Sequence, residues 1–466
     1  MYAVFYDLET TSKNTIGQIV NYSFILVDDE YKVVDELSGL VKISRLQLPD
    51  AGAILANRTD VLKHQSLASD NEPTAMRKIE EFLSACIQRA RGAVAFIGYN
   101  SSRFDLGYLR TSFIRNGRNP YFGGKLTTRD LLHAVQKAYL SSEKFRSLVR
   151  EQCASEKRLS LSLQTVTRAL GLLEGTQAHE SREDVLLTIR LAEWLQRECG
   201  INVREYEAYE GFKLHSTARS GTVYWVSEPE YDLSEGRPVR TYPACLLDVS
   251  GKMALWINLE KFAEKAGPHC IMWRQLMKHP FFVSEQSVAA PELQKLARSA
   301  LAYFAKVSLK NYFEKSTCDI EQDIYRLDFD AQDLYAKAIE SGSREILAEC
   351  ANPDAKVLWV RRQLAHSELD LNDPKTASTL RQYALHRYGG KLQLAKNLRE
   401  SEDYENHHPT LSSMWGDLVR AKEGAVALGN AEDRGLMEAL ERFYKASDIV
   451  RVAGDELVPG IGRSAA

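Results

Sequence analysis

The chain of 466 residues has no apolar run near the roughly 20 residues that a membrane-spanning helix requires. Its seven cysteines are an odd number, scattered, with no C-x-x-C pair. That excludes a disulfide framework and a zinc site built on paired thiolates, and it points to a reducing compartment. The first residues, Met1-Tyr2-Ala3-Val4-Phe5-Tyr6-Asp7, carry no basic stretch and meet an acid at once. A secretory signal is therefore not expected, and the expected location is cytoplasmic. No P-loop pattern, fixed-period repeat or low-complexity tract occurs. Net charge is also nearly missing, since 60 Lys and Arg against 63 Asp and Glu leave −3. Any polyanionic partner would have to be held by local positive charge. What is plentiful is apolar content, at 44%, with 9% aromatics, which excludes a wholly disordered chain.

The length exceeds what one hydrophobic core supports, so several domains are expected. Tyr2 to Tyr6 reads as a buried strand, and 19–27 with 31–43 as a hairpin turning at Asp28-Asp29-Glu30. Apolar spacing predicts helices over 74–91, 104–115, 130–140, 159–170 and 184–199, with a strand over 93–99. This order implies a mixed sheet covered by helices, an α/β fold. From about Gly200 the chain alternates β-type runs with Gly and Pro; 222–226 and 244–249 are the expected strands, with helices appended towards 298–307. After Ser343 helical periodicity dominates, as in 345–350, 357–364 and 436–446, with a loop expected at 401–409. The expected divisions are 1–200, 201–342 and 343–466.

Asp7-Leu8-Glu9-Thr10-Thr11 closes the first strand. Residues two apart on a strand face the same side, so Asp7 and Glu9 present two carboxylates together. Such a pair is unfavourable unless cations sit between them, and hard oxygen ligands suit Mg²⁺ or Mn²⁺. Taken singly, a D-x-E reads as an exposed strand end. Asp105, which opens a helix after Gly98-Tyr99-Asn100-Ser101-Ser102-Arg103-Phe104, reads singly as a helix-dipole acid. His179 and Asp184 form H-x4-D, and Ser181 with Asp184 fits a capping box. The functional reading of the same segment holds Asp184 on a rigid helix and lets His179 swing in as a general base.

Together, in this order, Asp7, Glu9, Asp105, His179 and Asp184 resemble the five motif positions of the DEDDh 3′→5′ exonuclease superfamily. The resemblance implies a ribonuclease-H-like exonuclease domain and two divalent ions. Asp7 would bridge them, Glu9 and Asp184 would hold the ion that activates water, and Asp105 would help hold the other. His179 would take the proton from the attacking water.

Length separates members of that superfamily, because a single-domain relative would end near Gly200. Ile97-Gly98-Tyr99-Asn100, Arg103-Phe104-Asp105, Asn119-Pro120-Tyr121 and Arg129-Asp130-Leu131-Leu132 resemble the bacterial exonuclease I family. Beyond them so do Trp225-Val226-Ser227-Glu228-Pro229, Lys278-His279-Pro280 and Ala331-Gln332-Asp333-Leu334-Tyr335. The motif-level resemblance runs to about residue 340 and afterwards rests on helical character and length. It implies an SH3-like β-rich domain after the nuclease domain and then a C-terminal helical domain. It implies processive, Mg²⁺-dependent 3′→5′ hydrolysis of single-stranded DNA to 5′-mononucleotides, with a role in DNA repair. It also implies a monomer that meets single-strand-binding protein through that protein's acidic C-terminal tail. Two other readings stay open: an RNA-directed 3′ exonuclease of the same superfamily, and a non-catalytic single-strand-binding module.

Between Arg103 and Arg129 lie six basic residues (Arg103, Arg110, Arg115, Arg118, Lys125 and Arg129), with Asp105 the one acid. Phe104, Tyr108, Phe113, Tyr121 and Phe122 are interleaved. Cations for phosphates and flat rings for bases suit a sequence-tolerant single-strand channel. A helix with a solvated basic face and an aromatic core face reads equally well for Arg110 and Arg115. The expected substrate contacts are Thr10, Asn100, Arg103, Phe104, Arg118, Tyr121 and Lys125. Trp225 is expected to be a buried tryptophan of the β-rich region, and His215, His279 and His407-His408 to be structural or surface residues.

Overall fold

A computed structural model describes residues 2–13, 17–102, 104–173, 181–205, 220–250, 253–275, 282–284, 291–308, 329–366, 370–389 and 409–461. A five-stranded sheet is built from β1 (Ala3–Thr10), β2 (Ile19–Val27), β3 (Val33–Leu40), β4 (Val94–Gly98) and β5 (Leu126–Asp130), in the order β3-β2-β1-β4-β5. β2 pairs antiparallel with both β1 and β3, whereas β4 runs parallel to β1 and to β5. The sheet is thus mixed, and the expected hairpin of β2 and β3 forms.

β1 lies at the centre and its alternation serves two cores. Val4, Tyr6 and Leu8 face the core shared with α3 (Glu72–Ala90) and α4 (Asp105–Arg115). Ala3 and Phe5 face the opposite core, shared with α5 (Leu131–Ser141) and α8 (Ser181–Cys199). By the period of two, Asp7 and Glu9 continue the face that α8 covers. The remaining helices of this part are α1 (Ala51–Asn57), α2 (Val61–Leu67), α6 (Glu143–Gln152) and α7 (Leu163–Ala169). The helix expected from 159 starts only at Leu163, because Ser162 caps it by accepting from the Thr165 amide.

A second sheet, wholly antiparallel, has the order β10-β6-β7-β8-β9, from β6 (Val223–Pro229), β7 (Val239–Ser250), β8 (Met253–Asn258), β9 (Ile271–Gln275) and β10 (Phe282–Ser284). Alternate residues of β7 feed two cores, Ala244 and Leu246 on one face, Cys245 and Leu247 on the other. The second face packs α9 (Leu259–Glu264) and α10 (Pro291–Tyr303). The fully buried tryptophan here is Trp256 at 0% exposure. Trp225, expected to be buried, is only partly covered. This sheet is tied to the first part where the Leu159 amide donates to Tyr231 O (2.8 Å) and the Leu233 amide to Lys157 O (3.2 Å).

The C-terminal part is helical: α11 (Phe329–Ser341), α12 (Pro353–His366), α13 (Pro374–Tyr388), α14 (Leu411–Ala427), α15 (Ala431–Ala446) and α16 (Asp448–Leu457). The helix expected at 345–350 is a short 3-10 turn, Arg344–Ala348, opened by Ser343. The loop expected at 401–409 lies almost wholly outside the described residues, as do His215, His279, His407 and His408. Helices α13 to α16 share a core with Ile43, Leu46, Leu48, Ile54 and Val61, from the stretch that follows β3. Tyr388 binds that stretch twice, donating to Leu46 O (2.9 Å) and accepting from the Leu48 amide (3.1 Å). Tyr444 donates to Pro49 O (2.6 Å). Among the described residues no helix is long and apolar enough to cross a membrane, and six cysteines are free thiols.

Arg115 corrects a reading of the basic segment. It faces neither solvent nor a groove, because its guanidinium is fully buried against Glu72, with Arg115 Nε to Glu72 Oε2 at 2.9 Å. Burial pushes the Glu72 carboxyl up, and Arg115 more than reverses this, leaving it below the usual range. Arg118 is paired too, with Glu80, but both side chains keep contact with water. Removing one partner of a buried pair strands a charge, so Arg115→Ala should cost about 3–5 kcal/mol in urea unfolding. Arg118→Ala should cost less than about 1 kcal/mol. Equal small losses for both would contradict the structural role given to Arg115.

Candidate active site

Asp7 and Glu9 reach the end of β1 on the face covered by α8, whose first turn carries Asp184. Each of the three offers a carboxylate oxygen, and these oxygens lie within 4.8 Å of one another. Asp184 is 5% exposed. Its helix is fixed beside β2, where the Ser181 hydroxyl donates to Asn21 Oδ1 at 2.9 Å. Asn21 is the strand partner of Glu9, so this bond seats α8 next to the acid it must face. Ser181 therefore lies inside the helix with its hydroxyl turned to β2, and the sequence reading of it as a capping residue is revised. One turn further on, the Thr188 hydroxyl donates to Asp184 O at 2.7 Å.

Asp105 opens α4 on the opposite side of the sheet and is 6% exposed. The amides of Asp105 itself and of Leu8, the residue between Asp7 and Glu9, hold its carboxyl down against the effect of burial.

Crowding shows in the protonation of these groups. Burial, and then the charges of Asp105, Glu9 and Asp184, push Asp7 well above the carboxylate range. Burial, then Asp184 and Asp105, push Glu9 up to about 8. Asp105 is pushed up to about 7 by burial, with the two amides opposing and Asp130 adding to the rise. Each group resists ionising because its neighbours are anionic and water is scarce. An all-oxygen acidic donor set of this kind fits hard divalent ions such as Mg²⁺ or Mn²⁺ better than soft ones.

The other residues singled out in the sequence fall into three groups. His179 and Arg103 lie outside the described residues. Thr10 is 3% exposed and its hydroxyl donates to Ser12 O (2.9 Å). Tyr108 and Phe113 are core residues, and Phe122 packs edge-on against Phe113 at 5.7 Å. Asn100 and Lys125 are exposed, and Phe104 is half-buried with its ring tilted against Tyr108. The Arg110 guanidinium lies 5.4 Å from the centre of the Tyr121 ring. Asn21 was missed in the sequence, although a signal existed. Asn21 and Ser23 interrupt an otherwise apolar strand, and they stand opposite Glu9 and Asp7 in the β1–β2 register.

The order of the first sheet, the second antiparallel sheet and the closing helices give an α/β architecture that matches the exonuclease I fold. Three solved structures make the likeness concrete. Escherichia coli exonuclease I in complex with a dT13 oligonucleotide superposes with a TM-score of 0.64 at 16% identity, over 96% of this chain and 100% of that one. The zinc-ion-bound form of the E. coli exonuclease I–single-stranded DNA complex gives 0.58 at 16% identity, over 96% and 99%. A moderately thermophilic exonuclease I from Methylocaldum szegediense gives 0.54 at 16% identity, over 96% and 99%. At such identities the likeness is one of fold. No family model and no curated protein matches the chain.

The raised carboxyls set the sign of a pH effect. Between the ordinary glutamate value of 4.5 and about 8 the folded chain holds protons that the unfolded chain has lost. Metal-free stability should therefore fall as pH rises through that window. A divalent ion should offset the loss, so the gain in melting temperature from millimolar Mg²⁺ over EDTA should be largest above pH 8 and smallest near 4.5. Asp7→Asn should raise the melting temperature in EDTA and abolish the gain from Mg²⁺. A Mg²⁺ gain independent of pH would contradict the cluster's role.

Proposed function

We propose that this chain is a divalent-metal-dependent exonuclease that removes 5′-mononucleotides from the 3′ end of single-stranded DNA in the cytoplasm. The observation that carries the reading is the convergence of Asp7, Glu9 and Asp184 within 4.8 Å, with Asp105 near enough for its charge to push Asp7 and Glu9 up. Its setting supports it, on a fold shared over almost the whole chain with exonuclease I bound to oligonucleotides.

In this reading Asp7, Glu9, Asp105 and Asp184 hold two Mg²⁺ ions, for which Mn²⁺ can substitute. The bound ions would supply a nucleophile from water at neutral pH and charge stabilisation at the phosphate. His179, which precedes α8, accepts the proton of the attacking water at a ring nitrogen. The bond from phosphorus to the 3′ oxygen of the shortened strand breaks, and that oxygen leaves with a proton. Asn100, Arg103, Phe104, Tyr121 and Lys125 face the strand, with Tyr121 and Phe104 offering rings for bases and the cations meeting phosphates. Thr10 and Arg118 belong to the same set in this reading; Arg118 also pairs with Glu80 while keeping contact with water. Residues 1–200 form the nuclease domain, 201–342 the SH3-like β-rich domain and 343–466 the helical domain. The last two close the groove over the strand, which favours processive action, keeps duplex out and suits a role in DNA repair. Single-strand-binding protein would dock through its acidic tail.

The test uses end-labelled oligonucleotides with Mg²⁺ and with EDTA. Single-stranded DNA should shorten from its 3′ end only with the metal, and duplex should resist. Asp7→Ala removes a group asked to contribute several kcal/mol, so the rate should drop by roughly a thousandfold or more. Faster cutting of single-stranded RNA would move the reading to the RNA-directed relatives. Binding without cleavage would move it to a non-catalytic single-strand binder.

A further inference from the structure

Asp130 ends β5 and caps α5, and its carboxylate is 6% exposed. Capping requires one bond, and the Leu132 amide supplies it to Oδ1 at 3.0 Å. Three further bonds go elsewhere. Oδ1 also accepts from the Asn100 amide (2.8 Å), while Oδ2 accepts from the Ser102 amide (3.1 Å) and the Ser102 hydroxyl (2.6 Å). All three reach the loop between β4 and α4, and that loop delivers Asp105. It is an awkward stretch of chain: Asn100 sits at φ 57°, and the amides of Phe104 and Leu106 both fold back onto Ser101 O. A left-handed residue in a tight loop needs outside support to hold one conformation.

We propose that Asp130 is a positioning residue for the reaction, setting the loop 100–102 so that Asp105 meets Asp7 at the end of β1. The inference rests on the nuclease reading above and deepens it. The surplus of bonds marks the role, since a carboxylate needed for helix capping alone has no reason to gather a second element 28 to 30 residues away in sequence.

The test compares the parent with Asp130→Ser and Asp130→Asn. Serine keeps a capping oxygen and loses the loop bonds, so the melting temperature should stay close to the parent's. Its kcat should fall roughly 10- to 100-fold, the loss expected from a misplaced reacting group. The Mg²⁺ concentration for half-maximal rate should rise, and hydrogen exchange at the amides of Asn100 and Ser102 should quicken. Asp130→Asn, which keeps the Oδ1 bonds, should recover part of each. A population of unfolded enzyme would lower kcat yet leave the Mg²⁺ half-saturation and the loop exchange of the folded fraction unmoved, and that pattern would overturn the proposal. So would an Asp130→Ser rate within about twofold of an active parent. An inactive parent would instead remove the nuclease reading and this role with it, and the parent assay tells the two apart. Should Asp130→Ser not fold, Ser102→Ala takes away one of the four bonds at an exposed position and is judged by the same readouts on a smaller scale.

Discussion

Carboxylates gathered within 4.8 Å of one another repel, and removing them from water strengthens the repulsion. The scaffold around the end of β1 makes sense as what keeps them together regardless. β1 is flanked by strands on both sides and packed on both faces, so its end has no freedom to swing Asp7 and Glu9 apart. α8 is seated by the bond between Ser181 and Asn21, and Asp105 opens a helix packed on the other face of the same strand. A cluster that opposes folding by its own electrostatics is the sort of local conflict that proteins keep at working sites and offset elsewhere.

The offset is visible along α4. Its first residue faces the cluster, and its last is gripped by Glu72 in a pair closed to solvent, while Tyr335 donates to Arg115 O at 3.0 Å. Helix α11 therefore holds the far end of the helix whose near end presents an acid. The loop leading into α4 is gathered by Asp130 from a third direction. Thus the second half of the chain does more than extend a surface, because it contributes bonds that fix a site made by the first half.

The parts of this arrangement that were legible from residues alone were those with a strong period or a strong local motif. The apolar start of β1, the hairpin after it, and the helices bearing Asp105 and Asp184 could be read in outline, and so could the approach of Asp184 to Asp7 and Glu9. β5 could not, because Leu126-Thr127-Thr128-Arg129-Asp130 is a half-buried edge strand with one apolar residue, and pairing with β4 is what makes it a strand. The basic and aromatic run after Arg103 was legible as composition but not as geometry. Tyr108, Phe113 and Arg115 turn inward because α4 packs on two sides, which no count of charges reveals. Trp225 and Trp256 stand on strands of similar character on either side of β7, and only sheet packing decides which is enclosed.

One further consequence belongs to biosynthesis. The apolar side of the stretch from Ile43 to Val61 is covered by Tyr388, Leu411, Leu440 and Tyr444, which leave the ribosome hundreds of residues after it. Until then, Leu46, Leu48 and Ile54 have no cover from those helices, and the nascent amino-terminal part carries a sticky flank for as long as translation lasts. Slow elongation would lengthen that exposure, and a chaperone that shields the flank would shorten it.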